Sequence, residues 1–388
     1  MAVTELTLTA FRNYPRLRLD LDDRPVVLMG PNGAGKTNLL EAISYLGAGR
    51  GLRGARLADV DCRFASPNSG SWPAPWPAPW AVAAAIQGPH GRFEVGTGRD
   101  GESAVSRRLV RIDGKAVAGP QALAEKMPML WLTPAQDRLF QEQPGSRRRF
   151  LDKLVAVLDP SHGTRIGEYE RALRERARLL REKRADPDWL TALERTMAES
   201  GIAIAAARRL GAADLTRNSG AGTGPFPAAI VTAVGETEEW LGQCPALEAE
   251  DRLARALAAS RHRDGEVGGA AHGPHRTDMM VIHADQGLAA RSMSTGEQKT
   301  LLLSIILGAA RLQAEKRGFT PVLLLDEVSA HLDENYRRAL YEEVMALGAQ
   351  AWLTGTDAGL FAALEGAAHM FKVADGNVHE MTSGVSAS

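Results

Sequence analysis

Residues 30–37 read Gly-Pro-Asn-Gly-Ala-Gly-Lys-Thr and follow four consecutive apolar residues, Val26, Val27, Leu28 and Met29. The segment fits GxxxxGK[ST] in full. Its context is the one the motif needs: a buried strand, a glycine-rich loop, then a helix, here expected over 36–46. Gly30, Gly33 and Gly35, with Pro31, Asn32 and Ala34 between them, let backbone N–H groups turn inward around phosphate oxygens. The helix N-terminus adds partial positive charge. Lys36 is expected to reach the β- and γ-phosphates of a nucleotide, and the Thr37 hydroxyl to ligate Mg²⁺.

A second half of that site lies much later. Residues 322–327 are VLLLDE, a buried strand that ends in two carboxylates. Ligands of open α/β sheets bind beyond the carboxyl ends of the strands. Asp326 is therefore placed to hold the Mg²⁺ shell, and Glu327 to polarise an attacking water as the catalytic base. A strand ending in Asp-Glu is solvated turn chemistry as often as a site, and it is the upstream phosphate loop that favours the site.

The chain has 388 residues, 44% of them hydrophobic and 24% charged, with a formal net charge of −1. It is long enough for two or three domains. The charge balance excludes a uniformly basic nucleic-acid coat, though not local basic patches. The two cysteines, Cys62 and Cys244, form no CxxC pair, which suits a reducing compartment and offers no zinc site. The apolar run 301–310 is too short to cross a bilayer, which takes about 20 residues. The N-terminus lacks the apolar core of a signal peptide. The expectation is a soluble, cytoplasmic protein with no membrane partner.

The first 30 residues alternate as strands. Strand-like pieces return over 81–86, 92–98 and 109–112, with Asp113-Gly114 as a hairpin turn. The segment 72–80, WPAPWPAPW, has too much proline for helix or central strand and reads as an extended insert. From 146 to 210 the period is helical, in three segments, with a glycine-rich break at 218–224 and another helix over 246–262. The end is α/β again: a helix over 297–316, the strand 322–325, a helix over 334–347 and a strand at 352–353. A last hairpin turns at Asp375-Gly376. The fold class is therefore α/β, with a first head segment over 1–140, an inserted helical lobe over 141–264 and a second head segment over 265–388.

Ser294-Thr295-Gly296-Glu297-Gln298 stands directly before the helix 299–311. On its own this is also a capping box, with Ser294 or Thr295 as cap and Glu297 or Gln298 closing it. Together with the phosphate loop, the VLLLDE strand and Ser329-Ala330-His331-Leu332-Asp333 after it, the segment resembles the signature of ABC-type ATPases. The form is that of the DNA-repair and chromosome-maintenance branch. The opening LTLTAFRNY, the run SRRRFLD (146–152), GPHRTDM (273–279) and the strand ending Leu353-Thr354-Gly355-Thr356-Asp357 resemble the RecF family of bacterial recombination-repair ATPases. The resemblance spans nearly the whole chain, and the short helical insert cannot form a long coiled-coil arm. Thr356-Asp357 stands where other ABC branches carry a switch histidine, which puts a histidine contact to γ-phosphate in doubt here.

The resemblance implies an ABC-type ATPase head with an inserted second lobe, ATP and Mg²⁺ as cofactors, and an ATP-dependent homodimer. In such a dimer Ser294, Thr295, Gly296 and Glu297 face the nucleotide of the other subunit. It implies slow, DNA-stimulated hydrolysis that resets a clamp, and binding to single-strand and duplex DNA at gaps or junctions. RecR- and RecO-like mediators are the implied partners, with loading of RecA as the outcome in recombinational repair and replication restart. Arg12 and Asn13 match the branch's N-terminal nucleotide-contacting pair; the alternative is an exposed turn before Pro15. Gln136 is a Q-loop candidate, or simply a solvated glutamine.

For DNA, Arg147 and Arg148 open one helix, and Arg174, Arg178 and Arg181 share a face of the next by i, i+3, i+4 spacing. Such a stripe can neutralise phosphates. Its competing reading is a solvated helix with ion pairs such as Glu170–Arg174 and Glu175–Arg178. No base-reading module is evident. Two other functions stay open: the ATPase subunit of a membrane transporter, and a nucleotide-gated scaffold that never turns over. The long insert and GPHRTDM stand against the first, and Glu327 against the second.

Overall fold

The computed structural model describes residues 1–62, 79–101, 107–182, 186–222 and 224–381. Residues 72–78 of the proline–tryptophan segment, and Lys183 and Arg184 of the basic run, lie outside them. The chain opens with β1 (Ala2–Phe11), β2 (Tyr14–Asp20), β3 (Val26–Met29) and α1 (Lys36–Ser44). Next come β4 (Ala81–Gly88), β5 (Gly91–Arg99), β6 (Arg108–Ile112), β7 (Lys115–Ala116) and β8 (Met129–Leu132). The middle holds α2 (Pro144–Leu158), α3 (His162–Glu182), α4 (Pro187–Asn218), β9 (Ala229–Val234), α5 (Glu236–Gln243), α6 (Ala246–Ala259), α7 (Arg261–Val267) and β10 (Asp278–His283). The chain closes with α8 (Thr295–Arg317), β11 (Val322–Leu325), α9 (Glu334–Leu347), β12 (Ala351–Gly355), β13 (His369–Ala374) and β14 (Asn377–Glu380).

Two compact units result. One comprises Met1–Asp137, Gly222–Phe226 and Gln313–Ser388, the other Arg138–Ala221 and Pro227–Leu312. The second unit therefore runs on past residue 264, where the sequence reading ends the lobe, and includes the signature segment. It is mostly helical, but it also contains an antiparallel β9–β10 ribbon.

In the first unit one sheet has the order β14-β13-β3-β12-β11-β8. All its pairs are parallel except β13–β14. A parallel sheet covered on both faces needs continuous apolar strands, which explains why β3 and β11 are buried at every position. The other sheet, β2-β1-β4-β5-β6-β7, is antiparallel. Its apolar face forms one core with β3 and α1, built on Leu6, Leu8, Phe11, Tyr45, Trp80 and Trp352. The sheet order matters most for function: β3, which leads into the phosphate loop, and β11, which ends in Asp326-Glu327, flank the same strand, β12.

The second unit packs α3, α4 and α6 around Tyr169, Met197, Ile202, Leu253 and Leu257. The wholly buried guanidinium of Arg176 is neutralised there by Glu194 at 2.9 Å and Asp264 at 2.8 Å.

Candidate nucleotide site and nucleic-acid interface

Gly35 caps α1 at φ 116°, without a side-chain hydrogen bond and with no acidic residue in the first turn. A side chain at that φ is strained. The first N–H groups of α1 are thus left to a ligand, which is the arrangement that binds phosphate. Lys36 is 4% exposed. Its Nζ donates to the carbonyls of Gly30 at 2.6 Å and Pro31 at 3.0 Å. Burial lowers its pKa, and the nearby carboxylates of Glu327 and Asp326 oppose that shift.

The Thr37 hydroxyl lies 3.0 Å from both carboxylate oxygens of Asp326. On the strand between them, Thr354 donates to Asp326 Oδ1 at 2.8 Å. Burial raises the Asp326 pKa and Glu327 adds to the effect, while the Thr354 and Thr37 hydrogen bonds work against it. Glu327, half-buried, adopts φ 52°. A left-handed conformation is uncommon outside glycine, and such strain collects at functional sites. Its N–H is held at 2.8 Å by Thr354 Oγ1. Thr37, Arg53, Thr133, Asp326 and Glu327 line one open cleft of about 420 Å³. A hydroxyl and a carboxylate are the hard oxygen donors that suit Mg²⁺, so Thr37 and Asp326 fit that ion.

The structure places the outlying candidates less simply. Arg12, with φ 53°, is partly buried and already engaged. Its guanidinium forms two hydrogen bonds to the buried Glu41 of α1, at 2.9 and 2.8 Å. Asn13 donates to the Ala34 carbonyl at 3.2 Å and accepts from Asn38 at 2.8 Å, so it touches the phosphate loop itself. Gln136, partly exposed, closes a capping box with Thr133 on the short turn after β8, accepting the Thr133 N–H at 3.1 Å. Asp357 likewise caps its own turn, accepting from the Gly359 N–H at 2.9 Å.

Arg53 emerges as a cleft residue. It donates to Asn38 at 2.8 Å and Glu41 at 3.0 Å. The loop that carries it is anchored by Arg108, buried on β6, which donates to the carbonyls of Tyr45, Gly47 and Gly49. Burial pulls the Arg108 pKa down to about 10. No spacing rule links positions 53 and 108.

In the second unit the signature residues Ser294, Thr295, Gly296 and Glu297 are all exposed. The capping-box reading of Ser294 and Glu297 holds in the structure: Glu297 Oε2 accepts from the Ser294 N–H at 2.9 Å and from its hydroxyl at 2.7 Å. The buried Gln298 donates to the Met293 carbonyl at 2.8 Å, which fixes the turn into α8.

The basic candidates divide. Arg147 forms a two-point ion pair with Asp278, at 2.8 and 2.6 Å, and Arg148 donates to the Thr277 carbonyl at 2.9 Å. Both guanidinium groups are thus used inside the unit, tying SRRRFLD to GPHRTDM, because a half-buried arginine needs acceptors more than it needs solvent. Arg174, Arg178 and Arg181 do share an exposed face of α3, lining a shallow groove with Arg171. Arg178 is paired with Glu175 and Glu182, and Arg174 with Glu170. Among the described residues, Arg171 and Arg181 bond only to backbone carbonyls.

Among the described residues no helix is long and apolar enough to cross a membrane. A family model described as an AAA domain matches residues 5–116. The chain is similar to the DNA replication and repair protein RecF of Rhizobium meliloti (strain 1021), with 46% identity, covering 97% of this chain and 98% of that protein. It is similar to the RecF of Mesorhizobium japonicum, with 46% identity over 97% of each. A solved structure of the recombination mediator protein RecF with ATP superposes with a TM-score of 0.81, at 22% identity, over 98% of this chain and 97% of that one. An Smc head domain from Pyrococcus furiosus superposes at 0.55 and 16% identity, over 98% of this chain and 96% of the other. With relatives this similar along nearly their whole length, the chain belongs to the RecF family of DNA replication and repair proteins.

Proposed function

We propose that this protein is an ATP-dependent DNA-binding repair factor whose slow ATP hydrolysis resets a DNA clamp. The observation that carries the reading is the Thr37–Thr354–Asp326 hydrogen-bond set, with Glu327 held beside it at the mouth of the phosphate loop. Lys36 and the N-terminus of α1 bind the triphosphate. Thr37 and Asp326 would hold Mg²⁺, whose charge would neutralise that of the phosphates. Glu327, in the same cleft as Thr37 and Asp326, orients a water and takes its proton.

The exposed Ser294 and the N–H at Gly296 engage the γ-phosphate held by a second copy, so ATP drives homodimerisation. The helix α8 points its positive end toward the same anion. DNA lies along the α3 face of Arg174, Arg178 and Arg181, is read by its phosphates rather than its bases, and stimulates hydrolysis. Gaps and single-strand/duplex junctions are the target, RecR- and RecO-like mediators the protein partners, RecA loading the outcome and the cytoplasm the compartment. Phosphate release measured with and without duplex DNA tests this reading. Weak turnover that rises with DNA supports it, and turnover indifferent to DNA contradicts the clamp.

A further inference from the structure

GPHRTDM is the stretch whose residues the nucleotide site does not use, and nearly all of its polar groups hold the second unit together. Gly273, at φ 130°, lets the Tyr169 hydroxyl come so close that a Cβ there would lie 2.2 Å from it. The Pro274 carbonyl accepts from Arg208 at 2.6 Å. His275 donates from Nε2 to the Ala270 carbonyl at 3.0 Å, and its Nδ1 pairs with the Tyr169 hydroxyl at 2.7 Å. Thr277 donates to Glu238 at 2.8 Å, and Asp278 binds Arg147. The exception is Arg276. It is exposed, and its guanidinium has no hydrogen-bond or ion-pair partner among the described residues.

Arg276 opens onto a cavity of about 290 Å³ between α7 and the turn Pro274–Arg276. Across it stands Arg263 of α7, also exposed and also without a partner among the described residues. Asp264 lies in the wall, but its carboxylate is already neutralised. One oxygen accepts from the Ala271 N–H at 2.9 Å, the other from Arg176 at 2.8 Å and Ser260 at 2.6 Å. Burial lowers the His275 pKa, against the Ala270 hydrogen bond and with Arg276 adding to the effect, and the arginines that line the cavity are Arg263 and Arg276. Leu173 also walls the cavity, and it sits on α3 between Arg171 and Arg174 of the exposed stripe.

We infer that Arg263 and Arg276 form a phosphodiester-binding site, taking a backbone phosphate of the DNA that crosses α3. Two guanidinium groups over a shaped recess, each with its donors unused, match the fork geometry by which arginine binds phosphate oxygens. The turn that presents Arg276 is rigid because its neighbours are all anchored. The site rests on the DNA-binding reading above.

The test is the salt dependence of duplex binding by the full-length protein with ATP. Arg276→Gln and Arg263→Ala lie on different elements and remove exposed side chains. Each is expected to reduce the log–log salt slope by about 0.9, one phosphate contact apiece. Arg276→Lys is expected to retain most of the slope. An unchanged slope in both neutral variants, with DNA still bound, overturns the site and leaves the DNA reading standing. A wild-type protein that binds no DNA at any salt overturns both. A wild-type melting temperature in either neutral variant shows that its loss of slope is not unfolding.

Discussion

The hydroxyl of Thr354 accepts the backbone N–H of Glu327 at 2.8 Å. The same hydroxyl donates to Asp326 Oδ1 at 2.8 Å, so one β12 side chain sets both carboxylates that end β11. Partners that orient a site's ligands typically matter 10–100-fold. Thr354→Val keeps the side-chain shape and deletes both bonds. ATP binding should persist while kcat falls by about 10–100-fold. In Glu327→Gln the base is lost with its geometry kept, so hydrolysis should fall by about two orders of magnitude and the ATP-bound dimer accumulate. A Thr354→Val enzyme with wild-type kcat would show that the left-handed turn at Glu327 stands without its tether.

Arg147 is expected to act on stability rather than on DNA. Arg147→Ala leaves the Asp278 carboxylate without its two-point partner, at a cost of about 2 kcal/mol. Thermal melting should show that loss, and adding Asp278→Ala should return part of it. The salt slope of DNA binding should not change. A slope reduced by one contact with unaltered melting would restore Arg147 as a DNA ligand.

Acid should loosen the second unit through Asp152. Burial pushes its pKa up, but hydrogen bonds from His162 and Arg208 outweigh this and hold it below the ordinary value. A depressed folded-state pKa means a contribution that is present above the unfolded value and lost as pH falls through the folded one. The stability gap between wild type and Asp152→Asn should therefore be full at pH 7 and shrink as pH falls through the usual carboxylate range toward the lower folded-state value. Melts from pH 7 to pH 3 measure it. A gap that stays constant to pH 3 would mean that the Asp152 carboxylate is not the source.

The parts of this molecule that follow from local chemistry were legible in the sequence. The phosphate loop, VLLLDE and the STGEQ segment are each contiguous, and the strand and helix periods around them place them on the elements where the structure has them. What depended on pairing across long separations was not. SRRRFLD and GPHRTDM were recognisable as family stretches, but nothing in either shows that Arg147 meets Asp278, so their arginines read as free charge. Nor could the pairing of Arg12 with Glu41 be read, because Glu41, one turn into α1, looks like a surface residue until the fold buries it. β9, AIVTAV, is too short to distinguish from a helix edge without its partner β10.

The central claim is a composite site completed by a second copy, and mixing two inactive variants tests it most directly. Lys36→Ala removes the ammonium that counters phosphate charge, and Ser294→Arg puts bulk and a cation where the hydroxyl must approach. Neither variant should hydrolyse ATP, although Ser294→Arg should still bind it as a monomer. In a heterodimer, one composite site carries both defects and the other carries neither. Phosphate release from an equimolar mixture should therefore recover to a fraction of wild type, with an ATP-dependent dimer visible by sedimentation. A mixture as inactive as its parents, or a Ser294→Arg protein that dimerises and hydrolyses ATP alone, would contradict a site shared in trans.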